Sequence, residues 1–158
     1  MDPTRRRFVS SMAWAAALGS LAAAARADEG FEVMHSDEEW LALLGRNRFE
    51  VLRRAATERP YTSRLNDEHR SGVFQCAACG LPLFSSAAKF DSRTGWPSFS
   101  KPLDNAVGTT LDRSFGMVRS AVHCRRCGGH LGHVFEDGPK PTGLRYCING
   151  LALEFAPA

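Results

Sequence analysis

Residues 124–135 read Cys124-Arg125-Arg126-Cys127-Gly128-Gly129-His130-Leu131-Gly132-His133-Val134-Phe135. The stretch opens with a knuckle. Two residues between the thiols let both sulfurs face one cation, and the following glycine permits the backbone to turn away. Upstream, Cys76-Ala77-Ala78-Cys79-Gly80 has the same form. Cys76, Cys79, Cys124 and Cys127 together supply the four sulfurs of a tetrahedral zinc site, structural in kind because no position is left for substrate. Two disulfides, or redox-active CxxC pairs, are the competing readings of the same residues.

The stretch closes on a short apolar run, His133-Val134-Phe135, and others like it fill the chain beyond Tyr61. They are Gly72-Val73-Phe74, Leu81-Pro82-Leu83-Phe84, Gly116-Met117-Val118 and Leu151-Ala152-Leu153-Glu154-Phe155, the last alternating as a half-buried strand does. Between them stand turn signals at Cys79-Gly80, Asn105, Asp137-Gly138-Pro139 and Pro141-Thr142-Gly143. This punctuation predicts a mainly β domain of short antiparallel strands. Ahead of it, Ser36-Asp37-Glu38-Glu39 is a capping box opening a helix over Trp40 to Leu44, with Gly45 as its stop. A second short helix is expected from Asn47 to Ala56, its apolar stripe formed by Phe49, Val51, Leu52 and Ala55 and its end set by Pro60.

Five cysteines leave one outside the two pairs. Cys147, in Arg145-Tyr146-Cys147-Ile148-Asn149, has an arginine two residues away and no structural partner, and it reads as a nucleophile.

The N-terminal segment has the form of an export signal. Thr4-Arg5-Arg6-Arg7-Phe8-Val9 resembles a twin-arginine motif, Met12 to Ala25 is an apolar run too short to span a bilayer comfortably, and Ala25-Arg26-Ala27 is a small-x-small cleavage site. Residues 1–27 are therefore expected to be a signal peptide and 28–158 a single domain, periplasmic after cleavage; an uncleaved anchor is the competing reading. Setting aside Arg5, Arg6, Arg7, Arg26 and Asp2 leaves 16 basic and 16 acidic residues. That balance speaks against a nucleic-acid partner. An oxidising compartment favours disulfides, whereas export of a folded protein would let zinc bind first in the cytoplasm.

Gly95-Trp96-Pro97-Ser98-Phe99, His130 to Phe135 and Arg145 to Asn149, in register with the four cysteines, give the chain a recognisable signature. It resembles the peptide-methionine (R)-S-oxide reductases, the B type of methionine sulfoxide reductase. The likeness runs from the capping box through Thr57-Glu58-Arg59-Pro60 and Lys89-Phe90-Asp91-Ser92 to Phe155. It implies twisted antiparallel sheets, a β-tent, clamped by one structural Zn2+ away from the active site. It also implies Cys147 as catalytic cysteine, His130 and His133 as active-site histidines, and Asn149 and Arg145 as their neighbours. Trp96 would contact the substrate methyl group, with Phe135 and Asp137 lining the pocket. The implied substrates are oxidised proteins or peptides, met by a monomer that needs no membrane once the signal is removed.

The chemistry asks for such residues. A sulfoxide is a poor electrophile until its oxygen is hydrogen-bonded or protonated, so attack needs a thiolate on one side and a proton donor on the other. Arg145 is expected to favour the thiolate, His133 with Asn149 to hold the oxygen, His130 to support them, and Trp96 to seat the S-methyl group. Ordinary roles compete with each assignment: Trp96 as core, the histidines as loop residues or extra metal ligands near Cys127, Arg145 as a surface ion-pair partner.

The chain departs from the family at Asp91-Ser92-Arg93-Thr94-Gly95, where threonine stands in the place of a resolving cysteine. With four sulfurs on zinc, a sulfenic acid at Cys147 needs an external thiol, such as a thioredoxin-like protein. Two rival functions remain at this stage. One is a non-catalytic zinc-knuckle binding module with an inert Cys147. The other is a redox sensor whose Cys147 oxidation alters partner binding.

Overall fold

Ser36 starts the only α-helical element among the residues that the computed structural model describes, 30–158. The Glu39 N–H donates to Ser36 Oγ at 3.3 Å and the Ser36 N–H to Glu39 Oε2 at 2.8 Å, the reciprocal capping box. Helix α1 then runs Asp37–Arg54, but Gly45 sits at φ 68°, ψ 164°, outside the helical region. The two helices expected from the sequence are thus two segments of one element kinked at the expected stop. The second segment ends at Arg54, with Ala55 at φ 55°. Trp40, Phe49, Val51 and Leu52 are buried; Ala55 is exposed.

Nine strands follow: β1 Gly72–Cys76, β2 Pro82–Ser85, β3 Lys89–Phe90, β4 Ser98–Phe99, β5 Val107–Asp112, β6 Arg119–Cys124, β7 His130–Phe135, β8 Arg145–Ile148 and β9 Leu153–Pro157. They form two antiparallel sheets, β2-β1-β9 and β3-β4-β8-β7-β6-β5. Aromatic rings join them. Phe84 of the smaller sheet stacks on Phe99 of the larger at 4.3 Å, and Phe74 meets Phe99 edge-on at 4.9 Å. Around these rings Leu83, Val122, Leu131, Ile148 and Leu153 are fully buried.

Two expected strands fall elsewhere. Gly116 ends a 3-10 turn, Ser114–Gly116, and Met117 and Val118 are exposed link residues; pairing resumes only at Arg119. Apolar character there marks a hairpin tip, not a strand. Leu151 and Ala152 belong to a 3-10 turn, Gly150–Ala152, so the last strand begins at Leu153. The expected signal peptide lies outside the described residues.

The four paired cysteines sit where strands run out. Cys76 ends β1 and Cys79 follows in its turn, while Cys124 ends β6 and Cys127 follows in the next turn. The knuckles therefore tie the smaller sheet to the larger one.

Candidate active site and zinc centre

Tetrahedral zinc with Zn–S bonds of about 2.3 Å has sulfur–sulfur edges of about 3.8 Å. Cys76 Sγ lies 3.7 Å from Cys127 Sγ, and Cys79 Sγ 3.6 Å from Cys124 Sγ. All four sulfurs lie within 4.8 Å of one another, and neither His130 nor His133 belongs to the cluster. These separations fit a cation at the centre. They do not fit disulfides, whose sulfurs stand about 2.05 Å apart. The four cysteines are a structural zinc site, and Gly80 and Gly128, at φ 69° and 68°, make the turns that each knuckle needs.

Strand β6 separates this site from the other. Cys124 is at its zinc end and Arg119 at the opposite end, five residues or about 17 Å away. At the Arg119 end a cavity of about 130 Å³ is lined by Thr57, Trp96, Arg119, Gly132, His133, Phe135, Cys147 and Asn149. Three strands build it side by side. Cys147 on β8 pairs with Ser98 on β4 and with His133 on β7. Gly132 is required there, because a side chain would collide with the carbonyl oxygen of Cys147.

Of the residues singled out in the sequence, Cys147, His133, Trp96, Asn149 and Phe135 thus meet around one cavity. His130, Arg145 and Asp137 are not among the residues that line it. Residues three apart on a regular strand face opposite sides, but a register shift opposite Val122 and His123 intervenes. His130 and His133 consequently touch, with ring centroids 5.5 Å apart. Burial, and then the neighbouring His133, push His130 down to about 4, so at neutral pH it is an uncharged imidazole.

Arg145 makes a two-pronged ion pair with Asp137, both N–H···O distances being 2.8 Å, and its guanidinium lies 4.4 Å over the Phe135 ring. The ion-pair role is therefore realised. Burial pushes the Cys147 thiol above its ordinary value; Thr94, Arg145 and Ser98 pull the other way without overcoming it. Arg145 thus favours the thiolate as expected, but desolvation is larger.

Asn149 is 3 % exposed, and its amide is spoken for on both sides. Nδ2 donates to Leu131 O at 3.0 Å, and Oδ1 accepts from the Glu58 N–H at 3.0 Å. Glu58 also accepts Trp96 Nε1–H on its carbonyl at 3.1 Å, while its carboxylate takes the N–H groups of Gly150 and Leu151. Trp96 is half-buried with its indole N–H anchored this way, a cavity wall and not a core residue.

The sequence reading missed four participants. Glu58 and Thr57 lay within a noted motif without a role. Asp112 and Arg119, a facing pair on β5 and β6, had no local signal at all. Asp112 Oδ2 lies 2.8 Å from His133 Nε2 and 2.8 Å from an Arg119 nitrogen.

A half-buried thiol outside the metal cluster, in an aromatic-walled cavity on sheets stapled by zinc, defines the class: a zinc-clamped β protein with a lone thiol in its cavity. Residues 44–157 match the SelR domain. The chain is 54% identical over 121 residues to a peptide methionine sulfoxide reductase MsrB of Pseudomonas putida, covering 76% of this chain and 91% of that one. It is 54% identical over 123 residues to the MsrB of Thiobacillus denitrificans, covering 77% and 93%. It is 51% identical over 127 residues to that of Bradyrhizobium diazoefficiens, covering 80% and 91%. The chain belongs to the peptide methionine sulfoxide reductase B family.

Proposed function

We propose that this protein reduces the R epimer of methionine sulfoxide in oxidised proteins and peptides, with Cys147 as nucleophile. The observation that carries the reading is the meeting of Cys147, His133 and Trp96 around one cavity. The methyl group of the substrate rests on the indole face of Trp96, which leaves the sulfur towards Cys147 and the oxygen towards His133. The Cys147 thiolate attacks the sulfoxide sulfur to form an S–S bond, and that bond and the methionine S–O bond both break as an S–O bond to the cysteine sulfur forms. The oxygen passes to the cysteine with a proton from His133, so that Cys147–SH and the sulfoxide become Cys147–SOH and methionine. His133 is assigned the proton because it lines the cavity with its Nε2 on a carboxylate; His130 is uncharged and does not line the cavity. Asn149, Arg145 and Glu58 hold the walls. Zinc supplies folding stability to the sheets and takes no part in the reaction.

Two equivalents of an external thiol return Cys147–SOH to the thiol, releasing water and a disulfide. The chain has no sixth cysteine, and Thr94 occupies the place of an internal resolving thiol, its Oγ1 3.8 Å from Cys147 Sγ. A thioredoxin-like protein is the proposed reductant. The site of action is the periplasm, reached through the twin-arginine-like segment at Arg5-Arg6-Arg7.

Turnover of R and S sulfoxide peptides with dithiothreitol tests the reading. R-epimer reduction lost in Cys147→Ser is expected; equal activity in that variant overturns it. Cell fractionation tests the location, with a mature N-terminus near Asp28 in the periplasm expected and a full-length cytoplasmic protein refuting it.

A further inference from the structure

Beside Cys147, and outside the lining of the cavity, three hydroxyls line up. Thr94 Oγ1 lies 3.8 Å from Cys147 Sγ and 2.8 Å from Ser92 Oγ. Ser92 Oγ lies 2.7 Å from Ser98 Oγ, and Ser98 can donate onward to the Trp96 carbonyl at 3.2 Å. Ser98 is fully buried and pairs with Cys147 across the strands. The loop that carries Thr94 is strapped down. Asp91 Oδ1 accepts the Arg93 N–H at 2.9 Å, Tyr61 Oη donates to Arg93 O at 2.8 Å, and Gly95 O accepts from the Tyr61 N–H at 2.7 Å. Thr94 is therefore aimed by its loop and does not drift onto the sulfur.

We propose that Ser98, Ser92 and Thr94 form a hydroxyl relay that ends on Cys147 Sγ and stabilises its thiolate.

Proton counting gives the relay two directions. When Cys147 carries its proton, S–H donates to Thr94, Thr94 to Ser92, Ser92 to Ser98, and Ser98 to the Trp96 carbonyl. When the proton has left to solvent, the order turns round: Ser98 donates to Ser92, Ser92 to Thr94, and Thr94 to the thiolate. No hydroxyl is ionised in either state; three O–H bonds rotate. Each donor that points towards a charge is polarised by the one behind it, so the far end of the chain contributes to the near end. Burial works against the thiolate here, and aligned hydroxyl donors are what a buried anion needs. The other charged or titratable groups around the sulfur are Arg145 on its own strand, His133 on β7, and Arg119 with Asp112 across the cavity.

The relay deepens the assignment of Cys147 as the reacting thiol, yet it is tested without sulfoxide, so its failure is distinguishable from failure of the reductase reading. The readout is the pH dependence of iodoacetamide alkylation of Cys147 in the zinc-loaded protein. Thr94→Val removes the donor and keeps the shape, and the midpoint is expected to rise by about one pH unit. Thr94→Ser is expected to restore the wild-type midpoint. Ser92→Ala, which never touches the sulfur, is expected to give a smaller rise. Zinc content and melting temperature of each variant establish that it folds. A Thr94→Val midpoint equal to wild type overturns the proposal, and so does an unshifted Ser92→Ala. If Thr94→Val does not fold, the Ser92→Ala midpoint alone decides.

Discussion

His133 Nε2 and Asp112 Oδ2 stand 2.8 Å apart, joining a strand of the active-site wall to the edge strand of the larger sheet. A carboxylate at this distance makes Nε2 the protonated nitrogen and fixes the orientation of the ring. Asp112→Asn keeps the shape and loses that charge. It is expected to lower kcat for sulfoxide reduction about 10–100-fold with zinc content unchanged, read by steady-state kinetics.

The same carboxyl predicts an acid limb in stability. The Ser114 backbone N–H first, then the Ser114 hydroxyl and His133, hold Asp112 well below the usual carboxylate range. A depressed folded-state value means that its contribution is complete above about pH 4 and is lost as pH falls further. Melting temperatures measured between about pH 3 and 7 should fall less steeply on the acid side for Asp112→Asn than for the wild type.

Asn149→Ala tests what holds the cavity together. The change leaves the Leu131 carbonyl with one partner fewer and the Glu58 N–H with none, at a residue that is itself buried. A loss of about 2–4 kcal/mol is expected in denaturant unfolding. An unchanged midpoint would assign the asparagine to substrate contact alone.

The Cys147 thiol should titrate late. Burial raises it, so in the free protein the thiolate fraction grows only above the ordinary thiol value of about 8.5. Alkylation rates should climb with pH through that region. A plateau reached by about pH 7 would contradict the dominance of desolvation.

The zinc centre ties sheet to sheet, so metal loss should be felt as unfolding. Chelation, or Cys124→Ser, is expected to lower the melting temperature by about 10 °C or more, with activity lost along the same curve. Activity that survives full removal of zinc with an intact melting transition would be the contrary result.

Local patterns carry a good part of this molecule. The capping box at Ser36, the stop at Gly45, the two knuckles and the β character beyond Tyr61 are all readable, because each depends on residues a few positions apart. Gly116-Met117-Val118 misleads for the same reason: a short apolar run looks alike whether it packs as a strand or sits exposed on a hairpin tip. That Cys147 stands apart from the metal site was legible by counting, since four of five sulfurs were already committed.

The tertiary structure alone decides how the sulfur is treated. Asp112 reaches His133 from 21 residues away in sequence, Asn149 meets Glu58 across 91, and Thr94 meets Cys147 across 53. No periodicity encodes such meetings; they follow from the order in which strands pair. Burial is decided there too. An arginine two residues from a cysteine suggests a lowered thiol in sequence, but how much water the fold removes sets the balance, and here it outweighs the arginine. The chain by itself names the lone thiol and the metal ligands. The fold determines which neighbours hold its proton, because that depends on dielectric surroundings and on contacts between strands far apart in the chain.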